Sequence, residues 1–302
     1  MDRMRRPVVG ALSGLALSAG LACAQADLID VEGITAECAR PSPEWLWCDD
    51  FEQDRLGSYF EFESSDGSFD RAASVGTGDS YGMRVRWMEG QVSAGALHLA
   101  VGRSPDAYRR SVASTETDFR EIFWRVYVRN EPGWTGGGGY KLSRALVFHS
   151  RDNWGPALIA SVNSGGPANT KLRVDPSSGT DEAGNVRTVT YNDFTNLRWL
   201  GEATSTTNIF DVPEIGKWQC IEAQVTLNDP GRSNGSFRAW IDDRLEIERV
   251  NLNWVGSYDD FGLNAVFLEN YWNGGSPATQ ERYFDNFVVS TERIGCGEFT
   301  TS

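Results

Sequence analysis

The 302-residue chain carries 28 basic and 42 acidic residues, a net charge of −14, with five cysteines and two histidines. With no basic block along the mature chain, nucleic acid is excluded as an expected partner, and the acidity argues against long-range attraction of polyanions. The length suits one all-β domain or two smaller ones.

Residues 1–26 read as a secretory signal: Arg3, Arg5 and Arg6, an apolar run from Val8 to Ala22, and Ala24-Gln25-Ala26 as the cleavage site. The apolar run falls short of the roughly 20 residues a bilayer needs. The expectation is therefore a secreted or periplasmic protein, not held in a membrane after cleavage. Cleavage removes three arginines and one aspartate, which moves the charge from −14 to −16. Residues 27–47 read as an entry segment and 48–302 as one domain, because no linker or internal repeat divides it. Cys38, Cys48, Cys220 and Cys296 remain, an even number in an oxidising compartment. Of the three pairings they allow, the reading favours Cys38 with Cys48 and Cys220 with Cys296.

Beyond the leader the pattern is period two. "GMRVRWM" comes first, then "FWRVYVR", in which Trp124, Val126 and Val128 alternate with Arg125, Tyr127 and Arg129. Four glycines precede "YKLSRALVFHS", where an uninterrupted strand would put Lys141 and His149 on one face. "ALIASV" follows. In "CIEAQVTLN", Ile221, Ala223, Val225 and Leu227 oppose Glu222, Gln224 and Thr226, and "NDPGRSNGSF" is a turn into "FRAWIDD". "LNAVFLEN" and "RYFDNFVVS" close the series. Many short strands with turn-rich links and no alternating helices predict an antiparallel two-sheet β-sandwich. Rings beside Gly and Asn, as in "NYWNGG", suit stacking on the C–H faces of sugars in a carbohydrate groove.

The order "EIFWRVYVRNEPGW", "GGGGYKL", "KWQCIEAQVTLNDPGRSNGSFRAWID" and "FLENYWNGGSPATQERYFDNFVVS" resembles the concanavalin A-like jelly-roll polysaccharide lyases, closest to family fourteen, over about Phe51 to Ser290. The resemblance implies a concave sheet that cradles a polysaccharide, with the family's Gly-Gly-Lys-Leu-Pro lysine falling on Lys141 and Ser143 in place of the proline. The family's Ser-x-Arg and Tyr-x-Tyr pairs are absent from "GPALIASV" and "KLRVDP".

β-Elimination on a uronate polymer needs a cation or amide to neutralise the carboxylate, a base for the C5 proton and an acid for the leaving oxygen. The candidates are Lys141, His149, Tyr271 and Arg125, with Tyr127, Arg129, Gln224, Asn270 and Trp272 as substrate contacts. A non-catalytic lectin of the same fold is the rival reading. The Glu-x-Asp-x-Glu strand of retaining hydrolases on this sandwich is absent. No cofactor is required. Asp49, Asp50, Glu52 and Asp285 offer hard oxygens for a structural calcium ion, with Glu52 and Asp285 as the named ligands; the alternative is that Asp49 and Asp50 cap a turn and Asp285 takes a backbone hydrogen bond. The expected partner is a polysaccharide, and the expected state a monomer.

Overall fold

The computed structural model describes residues 37–212 and 214–297, so the leader lies outside the described residues. In chain order the strands are β1 (Trp45–Asp49), β2 (Glu61–Glu63), β3 (Phe69–Ala72), β4 (Gly82–Trp87), β5 (Ser93–Ala100), β6 (Glu121–Asn130), β7 (Lys141–Phe148) and β8 (Pro156–Gly165). They continue as β9 (Lys171–Ser178), β10 (Arg198–Trp199), β11 (Ala203–Asn208), β12 (Gln219–Thr226), β13 (Gly235–Ile241), β14 (Arg244–Leu252), β15 (Ala265–Tyr271) and β16 (Gln280–Ser290).

Two antiparallel sheets stack as a jelly-roll sandwich. One runs β14-β13-β12-β6-β16-β4-β3 with β1 beside β16, and the other runs β10-β9-β8-β7-β15-β5-β2 with β11 beside β9. The alternation in the sequence decides which side chains meet between them. Trp124, Val126 and Val128 of β6 and Ile221, Ala223 and Val225 of β12 face Val266 and Leu268 of β15 and Leu172 and Val174 of β9 in one apolar core. The turn after Thr226 closes the β12–β13 hairpin, with Thr226 paired to Ser236. β1 begins at Trp45 and pairs with β16, so the sheet starts inside the segment read as an entry arm.

Both expected disulfides are present, Cys38–Cys48 and Cys220–Cys296. They pin the segments around Cys38 and Cys296 over the outer face of the first sheet. There Arg125 is buried in an ion pair with Glu37 and donates to Gly295 O at 3.0 Å, while Gly297 N donates to Tyr127 Oη at 2.7 Å.

The oxygens proposed for calcium are already engaged by protein donors. Asp285 accepts from Thr77 N and Oγ1 at 2.7 and 2.9 Å and from Asn286 N at 2.8 Å; Glu52 accepts from Tyr81 N at 3.0 Å. The Arg71 guanidinium takes the carbonyls of Phe51 and Glu52 at 2.5 and 2.9 Å, so a cation already fills that turn. Asp49 and Asp50 cap the same turn, accepting from Phe51 N at 3.1 Å and Glu52 N at 3.3 Å.

Burial sets up a pH dependence of stability. It pushes Asp285 up to about 7 and Asp49 up to about 6, against an ordinary 3.8, and in each case outweighs the hydrogen bonds that favour the charged form. Between about pH 4 and pH 7 the folded state then binds more protons than the unfolded chain, so stability rises as pH falls. We expect Tm to climb by several degrees from pH 8 to pH 5, and Asp285→Asn to flatten the climb in a calorimetric series. An unchanged slope in the variant would refute the assignment.

Candidate functional site

The site lies on the outer face of the second sheet, which divides into two halves. One half is filled by the chain itself: Phe60, Leu146, Phe148, Ile159, Leu197 and Phe267 form a second apolar cluster, with Trp154 and Tyr191 packed against it. The other half opens as a cavity of about 640 Å³ floored by β7, β8, β9 and β15 and walled by the segment around Asn192–Glu202.

The four glycines before β7 determine how Lys141 reaches that cavity. Gly139 takes φ +77°, and a Cβ there would sit 2.7 Å from Trp272 Cε3; at Gly137 (φ +68°) it would sit 2.3 Å from Ala168 O. Only glycine lets the turn close on the Trp272 ring. Tyr140 follows with φ 116°, an unusual backbone for a side chain that large and one that costs about 1–3 kcal/mol. β7 then bulges. Leu142 joins the core and Ser143 Oγ accepts from the buried Trp124 Nε1 at 3.0 Å, so two consecutive side chains point inward. Lys141 and Arg144 are thereby left together on the groove face.

Around them the polar groups pair into two clusters, one on Glu269 and one on Asp175. Arg144 is buried and ion-paired with Glu269, and Tyr191 Oη donates to Glu269 Oε1 at 3.1 Å. Lys141 Nζ lies 4.5 Å from the centre of the Tyr271 ring. Asn163 Nδ2 donates to Asp175 Oδ2 at 2.7 Å, and Arg173, opposite Asn163 on the neighbouring strand, binds Asp175 at 2.7 Å and Glu202 at 3.2 Å. Burial pushes the Lys141 ammonium below the ordinary lysine value, with Arg144 acting in the same direction and Glu269 against it. For Glu269 burial is the largest influence and raises it, but Arg144, Lys141, His98 and the Tyr191 hydroxyl together hold it below the usual carboxylate value. Tyr191 itself is driven well above the ordinary phenol by burial.

Of the residues picked out in the sequence, Lys141 and Tyr271 come together here. Arg125, Tyr127, Arg129 and Gln224 do not, because β6 and β12 belong to the other sheet. Arg129 donates to Val75 O at 3.2 Å between the Trp218 and Tyr283 rings, and Gln224 is bonded to Glu121 and to Arg238 at 3.0 Å. His149 lies beyond the far end of β7, eight residues and roughly 26 Å of strand from Lys141, with Nε2 3.2 Å from Thr188 O. Asn270 points inward and donates to Gly95 O at 3.2 Å. Trp272 is buried among Trp87 and Trp134 at 5.7 and 5.5 Å, beneath the glycine turn. Trp199, one of the aromatics outside the alternating strands, lines the groove, whereas Arg144, Asn163, Arg173, Asp175 and Glu269 carry no mark in the sequence pattern used above. The alternation of "KLRVDP" carries the signal for the β9 pair, since Leu172 and Val174 are core.

At the outer edge of the same sheet Glu61, Glu63 and His98 hold ligand atoms within 4.8 Å of one another. His98 Nδ1 is already 2.8 Å from Glu61, and its ring stacks on Phe267 at 3.9 Å.

Residues 209–287 match the family model polysaccharide lyase 14. The chain resembles that family. Its fold is similar to an endo-β-1,4-glucuronan lyase from the fungus Trichoderma reesei (TM-score 0.53, 14% identity, 82% of this chain and 96% of that one). It is equally similar to a marine alginate lyase of polysaccharide lyase family 14 from Aplysia kurodai (TM-score 0.53, 14% identity, 82% and 99%). An alginate lyase from a Chlorella virus gives a TM-score of 0.51 at 12% identity over 87% and 98%. At these identities the likeness establishes the jelly roll. No curated protein sequence matches the chain. Where the polysaccharide lyase 14 pattern has Ser-x-Arg and Tyr-x-Tyr, the groove faces of β8 and β9 carry Ser161 with Asn163 and Arg173 with Asp175.

Proposed function

We propose that the protein is a secreted polysaccharide lyase that cleaves a uronate-containing chain by β-elimination in the groove around Lys141. The observation that carries this reading is the juxtaposition of a desolvated lysine and a phenol, Lys141 and Tyr271, at the open end of a polar groove. Two disulfides and the absence, among the described residues, of a helix long and apolar enough to cross a membrane are consistent with export.

In this mechanism the Lys141 ammonium meets the uronate carboxylate and stabilises the charge that develops when the C5 proton leaves. Tyr271, partly exposed at the groove surface, takes that proton and returns one to the departing glycosidic oxygen. The C5–H and C4–O bonds break, a C4=C5 double bond forms, and the proton ends on the new hydroxyl. Arg144, locked by Glu269, and Asn163, locked by Asp175, hold the sugar hydroxyls in register.

The test is ultraviolet absorbance of unsaturated ends on uronate polymers. Wild-type protein should give a steady rise, and Tyr271→Phe a rate lower by about a hundredfold or more. Binding of polymer with no rise under any condition would instead favour the lectin.

A further inference from the structure

We propose that this groove accepts a polysaccharide in which uronates are separated by neutral sugars, and discriminates against chains with a carboxylate on every residue. The inference rests on the polysaccharide-binding reading above and narrows its substrate class.

The argument begins with charge compensation. Three cations line the groove, and two are already neutralised by the protein: Arg144 by Glu269, and Arg173 by Asp175 and Glu202. Lys141 forms no ion pair among the described residues. Three cations thus stand against three carboxylates, and Lys141, which feels Glu269 only through space, is the groove cation that no ion pair occupies, a place for one carboxylate.

Position then separates that charge from the rest of the path. Lys141 is on β7 opposite Asn163 of β8, which faces Arg173 of β9, whereas Trp199 of β10 pairs with Ser177, four residues along β9, so a chain from Lys141 to Trp199 moves about 14 Å across three strand spacings and roughly 13 Å along the strands. Along the way it meets an amide and then an acid-balanced arginine. At the end it meets Phe194 and Trp199, both 56% exposed and stacked nearly parallel, 14° apart with ring centres at 6.4 Å. Two large rings left open to water at a groove wall form a platform for the apolar face of an uncharged sugar. Beside it the Glu202 side chain is 61% exposed, and one of its roles would be to repel a carboxylate on that sugar. The net charge of −14 acts in the same direction.

Calorimetric titration of the full protein at low salt tests this. The alternating probes are hyaluronan and heparosan, in which glucuronate alternates with a neutral amino sugar; the fully charged probes are polyglucuronate and polymannuronate of matched length. The alternating polymers should bind about tenfold more tightly or better. Glu202→Gln should narrow the gap by tightening the polyuronates, and Trp199→Ala should weaken the alternating chains by about tenfold. Equal or tighter binding of the polyuronates, or no binding of either alternating polymer, overturns the inference. Absorbance of unsaturated ends in the same samples reads the lyase mechanism separately. Selective binding without elimination would sink the mechanism and leave the selectivity standing.

Discussion

Lys141→Ala should lower kcat/KM for elimination by about a thousandfold while leaving Tm within about 2 °C of the wild type. The first figure follows from the role assigned to the ammonium: it is worth more to the developing enolate than to the resting carboxylate, and removing one such stabiliser costs roughly 10²–10³ in rate. The second follows from the packing. Lys141 has lost part of its hydration without gaining an ion pair, so its removal leaves no buried partner stranded. A merely structural lysine would show the reverse pattern. Lys141→Arg separates charge from geometry, because a guanidinium keeps its charge across the working range but is a poor geometric match for an ammonium. The wild type should lose activity as pH rises through the Lys141 pKa, which burial places below the ordinary lysine value; the arginine variant should keep a fraction of the activity and lose that alkaline limb. If both variants retain wild-type rates and the limb stays in place, Lys141 is not the neutralising group.

How far the sequence reaches into this structure depends on what alternation can and cannot encode. β6 and β12 were legible because Trp124, Val126 and Val128 and Ile221, Ala223 and Val225 leave no choice about which edge of the strand is buried. The same alternation separates inside from outside without saying which of two outer faces a strand presents. Arg125, Tyr127 and Arg129 were therefore correctly outward and still on the wrong sheet for a groove, held by Glu37, Gly297 and Val75.

The β7 face shows a second limit. Counting by twos from Lys141 puts Ser143 and His149 on the groove side, but one extra residue at the bulge turns Ser143 inward and Arg144 outward. Nothing in "KLSRALVF" marks that bulge, because Leu142 and Ser143 are ordinary strand residues and the reason for it is remote, the Trp124 indole that needs an acceptor in the core. Glycine gave the opposite case. The local requirement of the turn was written in Gly136 to Gly139, and the structure supplies its cause in the Trp272 ring packed against it.

Glu269→Ala should be the most destabilising single change in the site, about 3–5 kcal/mol, because it leaves the Arg144 guanidinium buried without its counter-ion. Tyr191 would lose its acceptor in the same step, and its hydroxyl sits where burial has already made ionisation unfavourable. For a chain of this size the loss corresponds to a fall in Tm of about 10 °C. Glu269→Gln keeps an acceptor for Tyr191 and removes only the charge, so it should fall between the wild type and the alanine variant. The double substitution Arg144→Met with Glu269→Leu removes both charges at similar volume and should recover most of the Tm, since a paired burial of charge gains little over apolar packing. Activity should not return with it. In the proposed mechanism the ion pair exists to hold Arg144 against the substrate. A double variant that is stable and inactive separates the work of the pair on the sugar from its work on the fold, and one that is stable and fully active would remove Arg144 from the site.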